Sequence, residues 1–576
     1  MSQNSVTQAL MNSITQLAED GRWSLLNWMS WLSGRGRPAS SSRNRRVGDA
    51  QPVAKIGRSQ PVVGLYHQPS DPWTGRAELG SRIIAYISDR DAAHFFALGG
   101  RVGTDADLAE LIGDWSPHSF VWLRHLHALG GDPARAYVRM LLQSWLNNRA
   151  YLSKAQVAEV EDLVIKGQRV CQWLSHFSFY GGSSDSHFQQ MIGRALTREV
   201  AQLKRRWLQG TSVEARMSAL KGIIFGILAL QEDADDLSFY LKAMEDQLFH
   251  SVFQDAPRGR TNASGYVSLL RDLLEIRSLL CAMNCAVPLI TQQSIERLAN
   301  VVRLFRMPDG KLALSNGSCA GSSAELEQLL QVATGKAYGL IPQQFRGFYR
   351  LSAGRTTLLV DAAPRIAHDG GHAGLLSFEM AVGRERLIVN CGAYYGPDPD
   401  WYRGLRSTAA HSTLSLTGED AYDFNPSARR VAGIDVSPSV SKHEHAGHHW
   451  LDMAHDGYLQ RFGVRMQRRL YLARDGDDVR GEDVVTGTPH SMVDVRFHLH
   501  PQVDAGLSQK GDQVILKLPS GGMWKFRANQ GEVSLTESVY LADRLVLRRT
   551  QQILLRLPLD EDGRAQVQWA IRRPLS

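Results

Sequence analysis

Residues 361–417 read DAAPRIAHDGGHAGLLSFEMAVGRERLIVNCGAYYGPDPDWYRGLRSTAAHSTLSLT. Within this stretch His372 precedes one strand-like run, Asn390 ends a second, and His411 leads into a third. Runs of this kind, rich in aliphatic and aromatic residues and bounded by Gly, Asp and Pro, are typical of β-strands. Polar groups at the ends of neighbouring strands can meet at one edge of a sheet. We therefore expect these three side chains to converge.

The hydrophobic pattern changes its period along the chain. From about residue 61 to 335, apolar residues recur every three or four positions, which predicts a layered array of amphipathic helices. After about residue 347 the period is two, which predicts many short strands with no helices between them, as in an antiparallel β-sandwich. The predicted domains are an amphipathic segment with a basic linker at 1–50, a helical domain at 51–340 and a sandwich at 341–576.

The elements themselves can be predicted from these periods. Helices are predicted over residues 120–126, 136–145, 157–177, 188–207, 214–230, 234–253, 266–283 and 290–305. Strands are predicted over residues 356–360, 375–382, 386–390, 413–417, 431–436, 464–471, 493–499, 513–518, 533–541, 545–555 and 566–571. The chain is too long, at 576 residues, for one ordinary core, so each half is expected to hold its own.

Composition excludes several classes of protein. Hydrophobic residues at 43% and charged residues at 21% are ordinary for a globular protein. The net charge of +7 favours acidic partners only weakly, and no nucleic-acid-binding module is recognisable. The five cysteines form no C-x-x-C pair, which indicates buried free thiols. No apolar run reaches the length of about 18 residues that a membrane span needs, and no secretory signal is visible, so we expect a cytoplasmic protein, with the periplasm as the alternative.

Four segments in order resemble the heparinase II/III-like polysaccharide lyases. They are His372 with residues 376–379 (LSFE), residues 387–392 (LIVNCG), residues 406–413 (RSTAAHST) and residues 496–501 (RFHLHP). The resemblance implies an N-terminal incomplete α/α toroid followed by a C-terminal antiparallel β-sandwich, an α+β multidomain fold. It also implies β-elimination of a uronic-acid polysaccharide in a cleft between the two halves.

The reaction removes the proton at C5 beside a carboxylate and releases the oxygen at C4. Donors must neutralise the carboxylate, and a Tyr or His must act as base. The resemblance aligns the family's Asn-His pair with Ser186 and His187, and its catalytic Tyr with the neighbourhood of Tyr266, where Asn262 is a polar alternative. His187 could instead cap or pack against the helix that follows it, and Tyr266 could be a core aromatic.

In the sandwich the family's His-x-His-x-Asp run corresponds to Gly370, His372 and Gly374. The family's second metal ligand, an Asp, corresponds to Asn390, and its third to His411. A structural zinc ion is therefore possible, with His372, His411 and Asn390 as candidate ligands. Asn is a poor ligand because it cannot neutralise the ion, unless Glu379 or water completes the shell. In the metal-free alternative the two histidines and the amide hydrogen-bond to one another.

Substrate contacts are predicted on a long loop from Gly392 to Arg406. Arg403 and Arg406 could bind carboxylate or sulfate groups in bidentate fashion, and Tyr402 could stack on a sugar ring. The resulting hypothesis is a polysaccharide lyase that acts on an acidic glycan. In it His187 and Arg406 hold the carboxylate, Tyr266 is acid and base, and His411 organises the site.

Two alternatives from other classes stay open. The chain could be a catalytically weak or inactive protein that binds an acidic glycan and keeps the lyase fold. It could also be a partner protein in bacterial envelope-polysaccharide metabolism, recruited through its Trp-rich N-terminal segment. The missing histidine at position 370 and the serine at position 186 both fall where the family does chemistry.

Overall fold

The computed structural model describes residues 65–90, 95–96, 116–149, 152–230, 234–254, 262–336, 339–365, 371–395, 398–421, 436–489, 491–542 and 546–574. The predicted N-terminal segment and linker, residues 1–50, lie outside the described residues, as do Gly370 and most of the strand predicted at 431–436. None of the helices in the described part is both long enough and apolar enough to cross a membrane.

The N-terminal half is helical, as predicted. Its helices are α1 (Ala77–Arg90), α2 (Leu123–Leu129), α3 (Gly131–Asn148), α4 (Lys154–Val160), α5 (Leu163–Ser175), α6 (Phe177–Tyr180), α7 (Ser186–Arg206), α8 (Val213–Leu230), α9 (Ala234–Leu248), α10 (Ala263–Ala282), α11 (Leu289–Phe305) and α12 (Ser323–Thr334). Side-chain caps begin several of them. Asp162 accepts two backbone N–H groups at the start of α5, and Asp185 accepts the N–H of Phe188 at the start of α7. These caps satisfy N–H groups that the first turn leaves unpaired.

Close packing of α5 on α8 shows why the helices form layers. Helix α8 is buried around almost its whole circumference, which is typical of an inner helix. At Gly167 on α5, a Cβ atom would lie 2.1 Å from the carbonyl oxygen of Ser218 on α8, so only glycine permits this approach. Lys221 on α8 lies 2.6 Å from both Asp272 and Glu275 of α10, which satisfies its buried charge. The half is an incomplete α/α toroid.

The C-terminal half is an antiparallel sandwich. Its strands are β1 (Gln344–Phe345), β2 (Phe348–Ala353), β3 (Thr356–Asp361), β4 (Ser377–Val382), β5 (Glu385–Val389), β6 (Leu414–Leu416), β7 (Ser439–His445), β8 (His448–His455), β9 (Arg465–Leu472), β10 (Asp478–Thr486), β11 (Met492–Leu499), β12 (Asp504–Leu507), β13 (Gln513–Lys517), β14 (Met523–Ala528), β15 (Glu532–Tyr540), β16 (Arg548–Pro558) and β17 (Arg564–Arg572). Two short helices, α13 (Pro399–Arg406) and α14 (Leu459–Phe462), interrupt them.

The strands form two sheets. Sheet I has the order β1-β2-β3-β4-β5-β11-β16-β15, with β6 also paired to β11. Sheet II has the order β12-β13-β14-β17-β10-β9-β8-β7. The sheets pack through aromatic side chains, including Phe378 of sheet I stacked on Trp569 of sheet II with ring centroids 5.7 Å apart.

Sheet I lies between sheet II and the helices. Its strands β3 and β4 are buried at every position, whereas β9 and β17 of sheet II alternate buried and more exposed residues. Phe348 on β2 packs against Phe305 of α11 with centroids 4.7 Å apart. Arg350 donates to the carbonyl oxygens of Leu304 and Arg306, each at 2.9 Å. Sheet II therefore turns its outer face away from the toroid.

Candidate functional site

His372 and His411 form a buried pair just before β4 and β6. His372 Nδ1 lies 3.2 Å from His411 Nε2, and the two rings are nearly perpendicular. His411 Nδ1 donates to the carbonyl oxygen of Ser407 at 2.7 Å. Because a neutral imidazole carries one N–H, His411 Nε2 is the acceptor and His372 Nδ1 the donor in this pair. Burial above all, together with the charge of Arg365, lowers the pKa of His411 to about 4, so the ring is uncharged at neutral pH.

Buried polar groups fix the backbone of His372. Arg365 donates from Nε to the His372 carbonyl oxygen and from Nη2 to Asp361, each at 2.7 Å. The backbone N–H of His372 donates to Oδ1 of Asn316 at 2.8 Å. Asn316 has a φ of +50°, in the left-handed region that asparagine enters more readily than most residues. A residue between the last helices of the toroid therefore positions a histidine of the sandwich.

Asn390 supports the backbone beside His411. Its Oδ1 accepts the N–H of Ser412 at 2.9 Å, and its Nδ2 donates to Glu379 at 3.4 Å. Glu379 is fully buried and also accepts the N–H of Leu314 at 2.7 Å. The structure thus brings the three strand-end residues of the opening stretch into one region.

These residues do not fit the zinc site that the family resemblance implies. The two imidazole nitrogens that face each other are hydrogen-bonded, and both ends of the neutral Asn390 amide are occupied. The carboxylate of Glu379 already accepts hydrogen bonds from the Leu314 N–H and the Asn390 amide, and from Arg386 at 3.3 Å. Within the described ranges, no three His, Cys, Asp or Glu side chains lie close enough together to hold a metal ion. Two imidazoles without an anionic partner leave the charge of zinc uncompensated.

On the toroid side, Asn262 reaches the same network. It caps α10, accepting the N–H of Gly265 on Oδ1 at 2.8 Å. Its Nδ2 donates to the carbonyl oxygen of Asn316 at 3.4 Å, and Asn316 in turn holds His372. Asn262 is itself buried, so it braces the junction between toroid and sandwich.

Tyr266, one turn further along α10, has the environment of a core aromatic. It is 8% exposed, and its ring lies against Phe305 and Phe345, with centroids 6.1 and 5.5 Å away. Its hydroxyl is buried and has no hydrogen-bond partner among the described residues. Burial raises the pKa of this phenol, and the nearby charge of Arg346 offsets the rise only in part. A base for proton abstraction would have to be more accessible.

Ser186 and His187 are the first two residues of α7, and both are exposed. Asp185 caps this helix, so the alternative in which His187 does so is wrong. Within the described part of the chain, neither side chain hydrogen-bonds to the His372–His411 pair. The structure therefore does not bring the predicted carboxylate-holding pair and the buried histidines into direct contact.

The predicted loop from Gly392 to Arg406 is partly helical, because its last eight residues form α13. Asp398 begins this helix by accepting the N–H groups of two residues in its first turn. Arg406 Nε and Nη2 donate to the carbonyl oxygen of Gly371, at 3.2 and 3.0 Å. The Arg406 guanidinium also lies 5.0 Å from the centre of the Tyr402 ring. Arg406 thereby connects α13 to the segment that carries His372.

The outer side of α13 presents Trp401, Tyr402 and Arg403, which we call the α13 surface. The two aromatic residues are 37% and 41% exposed, and the side chain of Arg403 is 73% exposed. The nearest carboxylate to Arg403 is that of Asp400, at 3.9 Å. An exposed aromatic pair beside an accessible guanidinium can stack on a sugar ring and bind an anionic group.

Sequence reasoning missed two residues that position the pair of histidines. Asn316 lies in a Ser-Asn-Gly sequence, and an Asn before a Gly is a turn signal that could have marked it. Arg365 lies four residues after Asp361, directly after a proline, and nothing in the local sequence indicates that the two form a buried ion pair. Its role depends on contacts that the spacing of residues does not reveal.

Comparison with known proteins agrees with this architecture. The model of the heparinase II/III-like C-terminal domain matches residues 344–570. Among solved structures, heparinase III superposes with a TM-score of 0.69 at 13% identity, covering 88% of this chain and 87% of that chain. The chondroitin AC lyase of Streptomyces coelicolor A3, solved with chondroitin sulphate, gives a TM-score of 0.53 at 13% identity, covering 87% and 79%. These likenesses show a common fold.

A curated relative extends over nearly the whole chain. FtsZ-localized protein C of Caulobacter vibrioides (strain NA1000 / CB15N) is 24% identical over 577 residues, which is 94% of this chain and 96% of the relative. The similarity therefore includes both the toroid and the sandwich. Residues 344–570 therefore form a heparinase II/III-like C-terminal domain, and the chain shares its toroid-and-sandwich fold with heparinase III and the chondroitin AC lyase.

Proposed function

We propose that this chain binds an acidic, uronate-containing glycan at the α13 surface and has little or no β-elimination activity. The observation that carries this proposal is the burial of Tyr266, whose ring packs against Phe305 and Phe345 and whose hydroxyl is itself buried. A phenol in that place cannot reach the C5 proton of a sugar without a rearrangement of the core. Loss of one positioned acid or base costs about two to four orders of magnitude in rate.

Two further features also favour a chain with little or no elimination activity. His411 is buried and its second ring nitrogen is held by Ser407, so it has no lone pair directed at solvent. Position 370, where the family carries a catalytic histidine, is a glycine in this sequence. His187, the predicted carboxylate donor of the toroid, would have to act without Arg406, which is bonded to Gly371.

The binding half of the proposal relies on what stays accessible. Trp401 and Tyr402 are exposed aromatic residues, and Arg403 offers a guanidinium that, among the described residues, has one carboxylate within 4 Å, that of Asp400 on its own helix at 3.9 Å. An exposed ion pair of this kind contributes little, so an anionic ligand can replace it. Arg406 is better placed as a positioning residue, because it is already bonded to Gly371.

The test combines binding and turnover on one panel of polymers: heparan-, chondroitin-, hyaluronan-, alginate- and glucuronan-type. Absorbance of unsaturated uronate ends measures elimination, and affinity electrophoresis measures binding. We expect retardation by at least one polymer without new absorbance, and a loss of retardation in a Trp401→Ala, Tyr402→Ala double variant. Phe239→Ala, which removes an exposed aromatic from α9, is the control.

The outcomes separate the alternatives. Rapid appearance of unsaturated ends would refute the inactive state and restore the lyase hypothesis. Binding that survives in the double variant, or that is lost equally in the control, would remove the α13 surface from the proposal. No binding to any polymer would refute the glycan-binding function as a whole.

A second candidate function follows from the full-length relative. Its printed name describes localisation with FtsZ, and the similarity covers 94% of this chain. We propose that this chain also acts where FtsZ assembles, from the cytoplasmic side. A fluorescent fusion should form bands that coincide with labelled FtsZ and disperse when FtsZ is depleted. A uniform signal, or recovery of the protein in the periplasmic fraction, would contradict this candidate.

A further inference from the structure

The outer face of sheet II carries a groove that the α13 surface does not include. Its cavity volume is about 1000 Å³, and the residues that line it come from β8, β9, β10, β13, β14 and β17 and from the segments that follow β14 and β17. Because the other face of sheet II packs on sheet I, and sheet I packs on the toroid, this groove opens on the side of the molecule remote from the helices. It is a separate surface from the family cleft.

Strand register aligns the lining side chains in one row across the sheet. Trp450 pairs with Tyr471, Tyr471 with Arg480, and Arg480 with Ala570. Ala570 then pairs with Arg527, which pairs with Gln513 at the far end. The row crosses six strands, a distance of about 24 Å at the usual spacing of about 4.8 Å between strands. It is long enough for an oligomeric ligand.

The row is aromatic at one end and cationic in its middle. Trp450 and Tyr471 form an aromatic pair with ring centroids 5.3 Å apart, and the Arg480 guanidinium lies 5.4 Å from the Tyr471 ring. The small side chain of Ala570 separates Arg480 from Arg527 and leaves a depression between two cations. Aromatic faces can stack on sugar rings, and paired guanidinium groups can bind carboxylate or sulfate in bidentate fashion.

The groove lining is strongly basic. It contains Arg469, Arg480, Lys525, Arg527, Arg572 and Arg573, and its acidic member is Glu482. Glu482 accepts from Gln566 and Gln568 at 2.7 and 2.9 Å, which occupies one of its carboxylate oxygens.

The ion pairs of these cations are mostly at the rim. Arg480 pairs with Asp478 and Arg527 with Asp512 at 3.6 Å, while their side chains remain 52% and 61% exposed. Exposed pairs contribute little to stability, so a polyanion can take over these contacts. Within the described part of the chain, Lys525 has no carboxylate within 4 Å.

We infer that this row is a second binding site for an acidic oligosaccharide, lying across the strands of sheet II. A peptide would more readily add to a sheet edge, where backbone groups are available, than lie across a face. The rim acids Asp478 and Asp512 interrupt the cationic field, which suits a polymer whose charges are spaced by sugar units better than the closely spaced phosphates of nucleic acid. The site does not depend on the α13 surface.

The experiment measures fluorescence anisotropy of two end-labelled probes, a heparan sulfate oligosaccharide and an unsulfated glucuronan oligosaccharide, with the full chain. The groove variant is Arg480→Gln with Arg527→Gln. The control is Arg465→Gln with Arg564→Gln, two exposed arginines on strands of the same face that flank Thr486 outside the groove. Both variants lower the net charge equally. We expect the groove variant to weaken binding of at least one probe ten-fold or more, and the control less than two-fold.

A Trp450→Ala variant tests the aromatic end, and we expect it to weaken the same probe without changing the salt dependence of binding. Equal effects of groove and control variants would mean non-specific attraction and would overturn the inference. Equal displacement by a single-stranded oligonucleotide of the same charge would also overturn it. If the groove variant binds normally while the Trp401→Ala, Tyr402→Ala variant does not, the second site fails and the proposed function stands. If the Trp401→Ala, Tyr402→Ala variant binds normally while the groove variant does not, the proposed binding at the α13 surface fails and the second site stands.

Discussion

A single methyl group at Gly374 should disturb the histidine pair. A Cβ atom there would lie 2.3 Å from Cδ2, 2.6 Å from Cγ and 2.9 Å from Nε2 of His411. The ring cannot move aside freely, because its two nitrogens are bonded to His372 and Ser407. Overpacking of a core costs about 1–3 kcal/mol, and each hydrogen bond that is lost adds about 0.5–1.5 kcal/mol. We therefore expect Gly374→Ala to destabilise this region by about 2–5 kcal/mol.

Hydrogen exchange measured by mass spectrometry gives the local free energy of opening without requiring the whole chain to unfold in two states. Peptides that contain His411 and Ser412 should exchange at least about 30-fold faster in Gly374→Ala, since 1.4 kcal/mol is about a factor of ten. Gly404→Ala is the matched control. A Cβ atom at this exposed position of α13 meets no atom within 4 Å, and the change should stabilise the helix by up to about 1 kcal/mol.

A double-mutant cycle identifies the cause. In a His411→Ala background the ring is absent, so adding Gly374→Ala should cost less than about 0.5 kcal/mol. Unchanged exchange in the single variant, or an undiminished cost in the His411→Ala background, would refute the reasoning. The result matters for the family comparison as well. Gly374 stands where the family motif has an Asp, and in this chain the His411 ring fills the space such a side chain would need.

Three further predictions concern the same region. Tyr266→Phe removes a buried hydroxyl that has no partner among the described residues, so the thermal unfolding midpoint should stay the same or rise, and a marked fall would reveal a hidden partner. His411 has a folded pKa of about 4 against about 6.5 unfolded, so the unfolded state takes up the proton first as pH falls. His411 should therefore contribute up to about 3 kcal/mol to the decline in stability from about pH 6.5 to pH 4, and His411→Gln should make that decline shallower by this contribution in urea titrations. Dialysis against a chelator should leave the unfolding midpoint unchanged and elemental analysis should find far less than one zinc per chain, whereas a large drop would establish a metal site.

Local sequence pattern was enough to predict most of the fold. The period of three to four residues predicted α8 and α11 nearly to their ends, and the period of two predicted β9, β11 and β16 within a few residues. The pattern missed α1 and α12 and the strands β1, β2, β7, β8, β10, β12 and β14. β8 and β10 lie among His-, Arg- and Asp-rich residues, where the apolar alternation is weak. Their strand form depends on pairing with neighbours that are distant in the sequence.

The candidate site divides in the same way. The opening stretch placed His372, Asn390 and His411 at strand ends, and the structure brings them into one region. The sequence of that stretch could not show that His411 hydrogen-bonds to Ser407 through one nitrogen, or that the Asn390 amide hydrogen-bonds to Ser412 and Glu379. The resemblance aligned the family's catalytic Tyr with the neighbourhood of Tyr266, and the structure packs this side chain in the core.

The sequence by itself determined the two-part architecture, because helical and strand periods arise from residues close together in the chain. It also determined which residue types are present at the family's motif positions. The tertiary structure alone decided which of them are accessible and what each one bonds. His372 is held by Asn316 from 56 residues away and paired with His411 from 39 residues away. Burial and hydrogen bonding are set by such distant contacts, and no local periodicity encodes them.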